Sequence, residues 1–241
     1  MLDPIHTSGI EFRGVQKTTL IDFPDEVACT LFLGGCNFRC FYCFNPDLVF
    51  NKDAGIKISE AEALEFLTER RSFLDGVCLT GGEPLMAGPE LIAFLGKVKA
   101  LGYKIKIDTN GAYPEVLQEM IDKKLIDYIA MDIKAPLGKY SEVAGVAVDL
   151  DKIKSSVELI KQSGLKHEFR TTVFSGLTLD DFEAIGKWLS GSQKYCLQRI
   201  KLNQPLVDEA RSKEFEAPSL EYIKQIANKL AEYFSKIEIR S

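Results

Sequence analysis

The 241-residue chain has little histidine and tryptophan, no excess of positive charge and no long apolar run. Lys and Arg number 30 against 35 Asp and Glu, a formal net charge of -5 that argues against non-specific nucleic-acid binding. No apolar run approaches the length of a membrane-spanning helix, and the first residues lack a basic region followed by an apolar core. We therefore expect a cytoplasmic protein without a membrane or nucleic-acid partner.

Cysteine is also scarce, but three of the six copies lie close together in the stretch GGCNFRCFYCFNPDL, at Cys36, Cys40 and Cys43. In a reducing compartment, clustered thiols more often bind metal than form disulfides. A structural zinc site usually takes four ligands, and His6 and His167 are remote in sequence, so zinc would need a distant fourth ligand. Three cysteines on a [4Fe–4S] cluster instead leave one iron open to a substrate or cofactor.

The other three cysteines, Cys29, Cys78 and Cys196, lie within apolar segments. Buried free cysteine is common in protein cores. We therefore predict that all three pack in the core and take no part in a metal site. Trp188 follows Phe182 and Ile185 at helical spacing and is also predicted to pack.

Apolar segments alternate with amphipathic ones about six times along the chain. Strand followed by helix, repeated in this way, implies parallel strands with right-handed crossovers. The number of units falls short of a closed eight-unit barrel, so we predict a single α/β domain built as an open partial (β/α)6 barrel. We expect an irregular leader over residues 1–14, a core over about 15–205, and a final helix and short strand over 218–240.

Polar and glycine residues follow the predicted strands, in the segments TGGEP, DTNG, MDIK, RTTVFSG and KLNQP. Functional residues of parallel α/β folds collect at the carboxyl ends of strands. We therefore expect these polar residues to surround one opening of the barrel, which we call the mouth. Asp108 and Asp132 would repel each other there unless a cation or ammonium group lay between them. Arg170, inside a β-forming segment, needs an anionic ligand or an acidic side chain as its partner.

The stretch from Cys36 to Cys43 resembles the cluster motif of the radical S-adenosylmethionine (SAM) enzymes, and GGEP (81–84) resembles their glycine-rich SAM-contacting motif. In that superfamily SAM chelates the open iron, the reduced cluster donates one electron, and a 5′-deoxyadenosyl radical abstracts a hydrogen atom. The resemblance therefore implies a [4Fe–4S] cluster on Cys36, Cys40 and Cys43, with SAM as the second cofactor.

The resemblance narrows further, because GVQKTTLIDFPDEVACTLFLGGCNFRCFYCFNP is similar to the opening of the anaerobic ribonucleoside-triphosphate reductase activating proteins. DTNG, MDIKAP and FRTTV are similar to that group and to pyruvate formate-lyase activating enzyme, so the match runs from Gly14 to about Pro205. It implies a glycyl radical enzyme as partner, in the first place the large subunit of an anaerobic ribonucleotide reductase, and a flavodoxin- or ferredoxin-type electron donor. Phe44 is a departure, because the group often has His there.

The same resemblance assigns further positions to SAM binding. They are Tyr42, Gly81, Gly82, Glu83, Asp108, Thr109, Asp132, Lys134, Arg170, Asn203 and Gln204. Tyr42 is expected beside the adenine, or else packed into the base of its loop. Asp108 and Asp132, with Thr109 alongside, are expected to help hold a monovalent cation and the methionine end of SAM. Lys134 carries a charge suited to the SAM carboxylate.

The remaining assigned positions each have a structural alternative. Gly81 and Gly82 let the backbone approach a ligand closely, since no side chain intervenes, but a Gly-Gly pair is also a common turn. Glu83 is expected either to orient the amino end of SAM or to brace its loop. Asn203 and Gln204 end the predicted sixth strand, where they either contact the ribose or adenine or form a plain turn.

Two other functions stay open. A radical SAM enzyme acting on a small molecule, such as a pterin or a modified-base precursor, would carry substrate-binding residues beyond those used for SAM. We find no clear set of such residues, which favours a protein substrate that enters an open barrel. A non-catalytic iron–sulfur or zinc module would have no use for GGEP and the polar strand ends.

Overall fold

The fold was analysed in a computed structural model that describes residues 9–51 and 57–241. Within these residues nine strands form one sheet. The strands are β1 (Glu11–Thr19), β2 (Ala28–Leu33), β3 (Ile58–Ser59), β4 (Gly76–Gly81), β5 (Lys104–Thr109), β6 (Tyr128–Asp132), β7 (Lys166–Val173), β8 (Ser192–Arg199) and β9 (Phe234–Arg240). The helices are α1 (Pro46–Val49), α2 (Glu60–Glu69), α3 (Gly88–Ala100), α4 (Pro114–Asp122), α5 (Tyr140–Ala144), α6 (Leu150–Gln162), α7 (Leu179–Leu189), α8 (Glu209–Ser212) and α9 (Leu220–Leu230). Short 3-10 helices lie at Pro84–Ala87 and Leu137–Lys139.

The strand order is β3-β1-β2-β4-β5-β6-β7-β8-β9, and every neighbouring pair from β2 onward is parallel. β1 pairs antiparallel with both β2 and β3. Among the described residues β3 and β9 are edge strands that do not pair with each other, so the sheet does not close. The α/β fold class and the open barrel are confirmed. The short strand predicted after the final helix is β9, which joins the sheet parallel to β8.

The predicted irregular leader is wrong at its C-terminal end. Residues 11–14 belong to β1, where Phe12 is fully buried and its ring lies 4.9 Å from that of Phe94. The rest of β1 is largely polar, so its sequence gives little sign of a strand. Residues 1–8, and with them His6, lie outside the described part of the chain.

The helices begin where the sequence indicates. Ser59 caps α2 through a reciprocal capping box with Glu62, and Thr178 caps α7 in the same way with Asp181. Each box satisfies backbone N–H groups that the first turn of a helix leaves without intrahelical partners. Of the helices in the described ranges, none combines the length and the apolar character needed to cross a membrane.

The two faces of the parallel sheet differ in chemistry because successive side chains of a strand point to opposite sides. On β5, Ile105 and Ile107 lie in the apolar core that also contains Leu91 of α3. The residues that alternate with them, Lys106 and Asp108, line a cavity on the other, inner face. The helices thus cover an apolar outer face, and the barrel interior is charged.

An aromatic residue closes the amino end of this interior. Phe23, in the loop between β1 and β2, packs with Ala28, Tyr128 and Ala130, and its ring centre lies 6.0 Å from that of Tyr128. The inner face is therefore apolar where the strands begin and charged toward their carboxyl ends. This gradient positions the site at the mouth where the parallel strands end.

Candidate active site

The cysteine loop follows β2, and its backbone is held from several sides. Cys36 N–H donates to the Val49 carbonyl of α1 at 3.3 Å, and Arg39 N–H donates to the Ala144 carbonyl of α5 at 2.7 Å. Across the mouth, the Val207 N–H donates to the Cys43 carbonyl at 2.9 Å. Three separate segments therefore fix the path of the loop over the carboxyl ends of the strands.

The three thiols of this loop line one cavity. Cys40 is buried, while Cys36 and Cys43 are half-buried. Burial raises the pKa of Cys40 to about 11. Burial also raises the pKa of Cys36, although the Phe38 N–H, 3.4 Å from the Cys36 sulfur, acts to lower it. A metal centre bound here would have to displace these thiol protons, since the thiolate is the metal ligand.

The arrangement of donors fits an iron–sulfur cluster better than a single metal ion. In the described ranges no three His, Cys, Asp or Glu side chains converge on one point that could hold such an ion. A cubane makes a different demand, because each cysteine binds a separate iron. Cys36, Cys40 and Cys43 would hold three irons and leave the fourth without a cysteine ligand. Cys29, Cys78 and Cys196 are buried, as predicted, and none of them lines the cavity.

The glycines of GGEP hold the end of β4 against the start of the cysteine loop. Gly81 has a φ of +126°, and a Cβ there would lie 2.2 Å from the Leu33 carbonyl oxygen. A Cβ on Gly82 would lie 1.8 Å from the Gly35 carbonyl oxygen. Both glycines line the cavity, yet the close approach that requires them is to the protein's own backbone.

Glu83 braces two loops from inside the protein. Its buried carboxylate accepts hydrogen bonds from Leu85 N–H at 3.1 Å, Thr109 hydroxyl at 2.7 Å and Asn110 N–H at 2.6 Å. Burial raises the pKa of Glu83 to about 7, although these three donors favour the ionised form. Its contacts match the bracing role that the sequence offered as one of two alternatives, and its side chain does not line the cavity.

Five charged side chains of β5, β7 and the β6 end form a group that we name the mouth cluster. Its members are Lys106, Asp108, Asp132, Lys134 and Arg170. Arg170 bridges the two carboxylates, with Nη1 3.0 Å from Asp108 Oδ2 and Nε 2.7 Å from Asp132 Oδ1. Lys134 Nζ lies 3.0 Å from Asp132 Oδ2. Arg170 thus has the acidic partners that the sequence called for.

The charges of the mouth cluster fix its ionisation. Burial alone would raise the pKa of Asp132, but Arg170 and Lys134 hold it below its ordinary value. Burial likewise opposes the charge on Lys134, while Asp132 keeps its pKa well above the ordinary range. These groups therefore stay charged at neutral pH and present fixed charges to the cavity.

A second charged group on the inner face, the edge cluster, ties together the last strands of the sheet. Its members are Tyr128, Glu168, Lys194, Glu238 and Arg240. Both terminal nitrogens of Arg240 lie 2.9 Å from the Glu168 carboxylate, and Lys194 Nζ lies 2.9 Å from it. Lys194 and Arg240 each also contact Glu238 at 2.7 Å. The cluster fastens β9 to β7 and β8.

The aromatic residues of the cysteine loop differ in exposure. Tyr42 is 7% exposed, lines the cavity and packs against Phe41 and Phe174, and its hydroxyl has no hydrogen-bond partner in the described part of the chain. Phe44, where the related group often has His, is 53% exposed and also lines the cavity. A buried ring with an unpaired hydroxyl is compatible with either role predicted for Tyr42.

Two predicted positions do not reach the cavity. β8 ends at Arg199, and Asn203 and Gln204 lie in the bend that follows. The strand ends earlier than predicted, so Gln198 and Arg199 take the cavity positions expected for the later pair. The sequence did not indicate where in QRIKLNQP the strand stops.

Lys106 and Asn110 are among the cavity residues that the sequence analysis missed. Lys106 is buried inside β5, and the alternation of KIKID places it on the same face as Asp108. Asn110 follows Thr109 in DTNG; its side-chain amide donates to Asn37 at 2.7 Å and lies 3.9 Å from the Cys36 sulfur. The alternation of β5 places Lys106 on the face of Asp108 and could have predicted it. Asn110 could have been predicted because it belongs to the strand-end segment DTNG.

Together these residues surround a cavity of about 830 Å³ that opens at the carboxyl ends of the strands. Residues 30–189 match the protein-family model of the radical SAM superfamily. The chain belongs to the radical SAM superfamily. Enzymes of this superfamily use a [4Fe–4S] cluster and SAM, which the three thiols and the charged cavity fit. A monovalent cation near Asp108 and Asp132 stays a prediction.

Relatives within the radical SAM superfamily include activating enzymes of glycyl radical enzymes. A Methanocaldococcus jannaschii protein named as a glycyl-radical enzyme activating enzyme is 30% identical over 234 residues, 95% of each chain. A pyruvate formate-lyase-activating enzyme of Clostridium pasteurianum is 33% identical over 130 residues, 51% of each chain. A 7-carboxy-7-deazaguanine synthase of Koribacter versatilis is 30% identical over 162 residues, 59% of this chain and 66% of that one.

Solved structures share the fold at low identity. Streptococcus suis SuiB bound to S-adenosylmethionine superposes with a TM-score of 0.67 at 13% identity. The match covers 87% of this chain and 51% of SuiB, so the chain spans about half of that protein. At this identity the likeness supports the fold alone.

Proposed function

We propose that this radical SAM protein activates a glycyl radical enzyme by removing a hydrogen atom from the Cα of a glycine in that partner. The observation that carries the proposal is the relationship, over 95% of both chains, to a protein named as a glycyl-radical enzyme activating enzyme. The open barrel supports it, because a peptide segment can enter between edge strands that do not pair with each other.

When bound, the cluster and SAM would supply the one-electron reductive cleavage of SAM that makes removal of a glycine hydrogen atom possible. The protein's own residues would hold the cluster and orient SAM. Cys36, Cys40 and Cys43 provide the cluster ligands, while Lys134 and Asp132 provide opposite charges for the carboxylate and amino groups of SAM. Glycine suits the reaction because it has no side chain to block the approach to Cα.

The partner that we propose is the large subunit of an anaerobic ribonucleotide reductase. The sequence from Gly14 to about Pro205 supports this choice through its similarity to the activating proteins of that enzyme. A flavodoxin- or ferredoxin-type protein would supply the electron. Pyruvate formate-lyase is the next partner to test, because its activating enzyme is also similar to this chain.

The test is anaerobic incubation of the reconstituted protein with SAM, reductant and each candidate partner, followed by electron paramagnetic resonance. We expect a doublet on the partner that requires all components. Cys196→Ala is the matched positive control, because Cys196 is a buried core cysteine, whereas Cys40→Ala should give no signal. A fully reconstituted protein that cleaves SAM but yields no doublet on any glycyl radical enzyme would refute the proposal.

A second candidate function is a radical SAM reaction on a small molecule of the modified-base class. The similarity to a 7-carboxy-7-deazaguanine synthase over 162 residues favours it, as does the charged lining deeper in the cavity. Turnover of such a compound in the absence of any partner protein would replace the first proposal with this one.

A further inference from the structure

Lys106 is an unusual residue for the interior of a strand. Its side chain is 2% exposed, and it lies near the middle of β5 with its ammonium group against Asp108 Oδ1. The ammonium also lies 3.6 Å from the sulfur of Cys78 on the neighbouring strand β4. A buried lysine is costly unless its charge is paired, so this position indicates a specific electrostatic role.

The contacts of the two mouth-cluster carboxylates define that role. Each of their four oxygens has one cationic nitrogen as its partner. Asp108 Oδ1 contacts Lys106 and Oδ2 contacts Arg170 at 3.0 Å. Asp132 Oδ1 contacts Arg170 at 2.7 Å and Oδ2 contacts Lys134 at 3.0 Å. The protein itself thus meets the charge of both carboxylates.

A free monovalent ion would find no unmet negative charge in this group. The cluster contains three cationic and two anionic side chains, and a bound ion would add a fourth positive charge beside Lys106. The next carboxylate on the inner face, Glu168, already contacts Lys194 and Arg240. The Asp22 carboxylate, which accepts the neutral Thr30 hydroxyl at 2.6 Å, is not part of this cluster. Extra positive charge in a buried site of this kind is repelled by the cations present.

We propose that Lys106 is a positioning residue whose ammonium group takes the place of a monovalent cation beside Asp108, so that SAM binding does not depend on sodium or potassium. The ammonium holds Asp108 in place, Asp108 holds Arg170, and Arg170 holds Asp132 in the geometry that faces SAM. The proposal is an alternative to the monovalent cation that the sequence resemblance implies. It rests on membership in the superfamily and holds whichever partner the enzyme activates.

The first test measures SAM affinity at constant ionic strength in tetramethylammonium, sodium, potassium or ammonium chloride. Tetramethylammonium is too large for the position of the Lys106 ammonium. The parent should bind SAM equally well in all four salts. Lys106→Ala should bind about tenfold more weakly in tetramethylammonium chloride and recover most of the loss in potassium or ammonium chloride.

Two further variants separate a counter-charge from a packing role. Lys106→Met removes the charge but fills the space, so small cations should not rescue it. Lys104→Ala is the matched control, because Lys104 lies two positions away on β5 and pairs with Glu26 at an exposed site. It should behave as the parent in every salt.

A second readout needs neither cluster nor SAM. The thermal midpoint of the cluster-free parent should be the same in all four salts, whereas that of Lys106→Ala should fall and rise again with potassium or ammonium. A parent whose SAM affinity or midpoint increases in potassium over tetramethylammonium would overturn the proposal, even if no variant folds. Equal behaviour of Lys106→Ala and the parent in every salt would overturn it as well.

Discussion

The mouth cluster and the edge cluster use the same chemistry for different purposes. Both lie on the inner face of the sheet, and both combine an arginine and at least one lysine with two carboxylates. The charged members of both clusters line the same cavity, but the mouth cluster lies at the strand ends that the cysteine loop follows. The edge cluster joins β7, β8 and β9 at the open side of the barrel. The comparison teaches that charge on an inner face does not itself identify a site; the neighbouring groups decide.

Loss of one thiol from the cysteine loop should have the largest effect on the proposed site, because SAM could then no longer bind to an iron–sulfur cluster beside the mouth cluster. Cys36→Ala, Cys40→Ala or Cys43→Ala should abolish the cluster, since each thiol holds a separate iron. Anaerobic reconstitution should give about four irons per parent chain and almost none in the variants. Cys196→Ala should reconstitute as the parent does, and full iron content in Cys40→Ala would contradict the assignment.

The next largest effect should come from the mouth cluster itself. Asp132→Ala and Lys134→Ala remove charges that we propose face SAM, and each should weaken SAM binding by at least about tenfold with iron content intact. Glu238→Ala, in the edge cluster, is the matched control and should leave SAM affinity unchanged. Isothermal titration of the reconstituted proteins measures the difference. Parental SAM affinity in both mouth variants would show that this cluster does not contact SAM.

The edge cluster should respond in the opposite way, with a loss of stability and no loss of SAM affinity. Glu168 is 1% exposed at its side chain, and Glu168→Gln leaves Lys194 and Arg240 without their buried carboxylate. We expect the free energy of unfolding to fall by about 3 kcal/mol. Denaturant unfolding measures this. An unchanged midpoint would mean that β9 does not depend on the cluster.

The stability that Glu168 contributes in the edge cluster and the stability that Glu83 contributes should change with pH in opposite directions. Burial opposes the charge on Glu168, but Arg240 and Lys194 lower its pKa from 4.5 to about 2. The stability that it contributes is therefore fully present above pH 4.5 and is lost as the pH falls toward 2. Glu83 has the opposite sign, because its pKa is raised from 4.5 to about 7 and stability declines as the pH rises through that interval.

The pH dependence of unfolding, measured for the parent and two variants, tests both signs. The stability difference between the parent and Glu168→Gln should shrink below pH 4.5, since the carboxylate that stabilises the parent becomes protonated. Glu83→Gln should flatten the decline between pH 4.5 and about 7. A difference between the parent and Glu168→Gln that stays constant on acidification would contradict the lowered pKa.

The sequence was sufficient for the strands whose apolar runs are continuous and for the residues at their carboxyl ends. It located the cysteine loop, GGEP, Asp108 and Asp132 at one mouth because the ends of parallel strands meet there. It missed β1, whose residues alternate poorly and whose burial depends on its antiparallel pairing with β2. It predicted a short strand at the position of β9, but not that this strand pairs parallel with β8.

Pairing across strands was beyond the sequence for a physical reason. Arg170 meets Asp132 because these residues are directly opposite in the register of β6 and β7. A shift of one residue would turn either side chain to the other face of the sheet. Periodicity gives the face on which a residue lies, but register depends on how helices and loops pack. The bridge from Asp108 to Asp132 therefore required the structure.

The most direct test of the proposed activation follows the hydrogen atom. A partner protein carrying deuterium at the Cα of its glycines is incubated anaerobically with the reconstituted protein, SAM and reductant, and 5′-deoxyadenosine is analysed by mass spectrometry. We predict deuterium in that product, in step with a collapsed doublet on the partner. Unlabelled 5′-deoxyadenosine formed with every glycyl radical enzyme supplied, alongside turnover of a small metabolite, would contradict the claim.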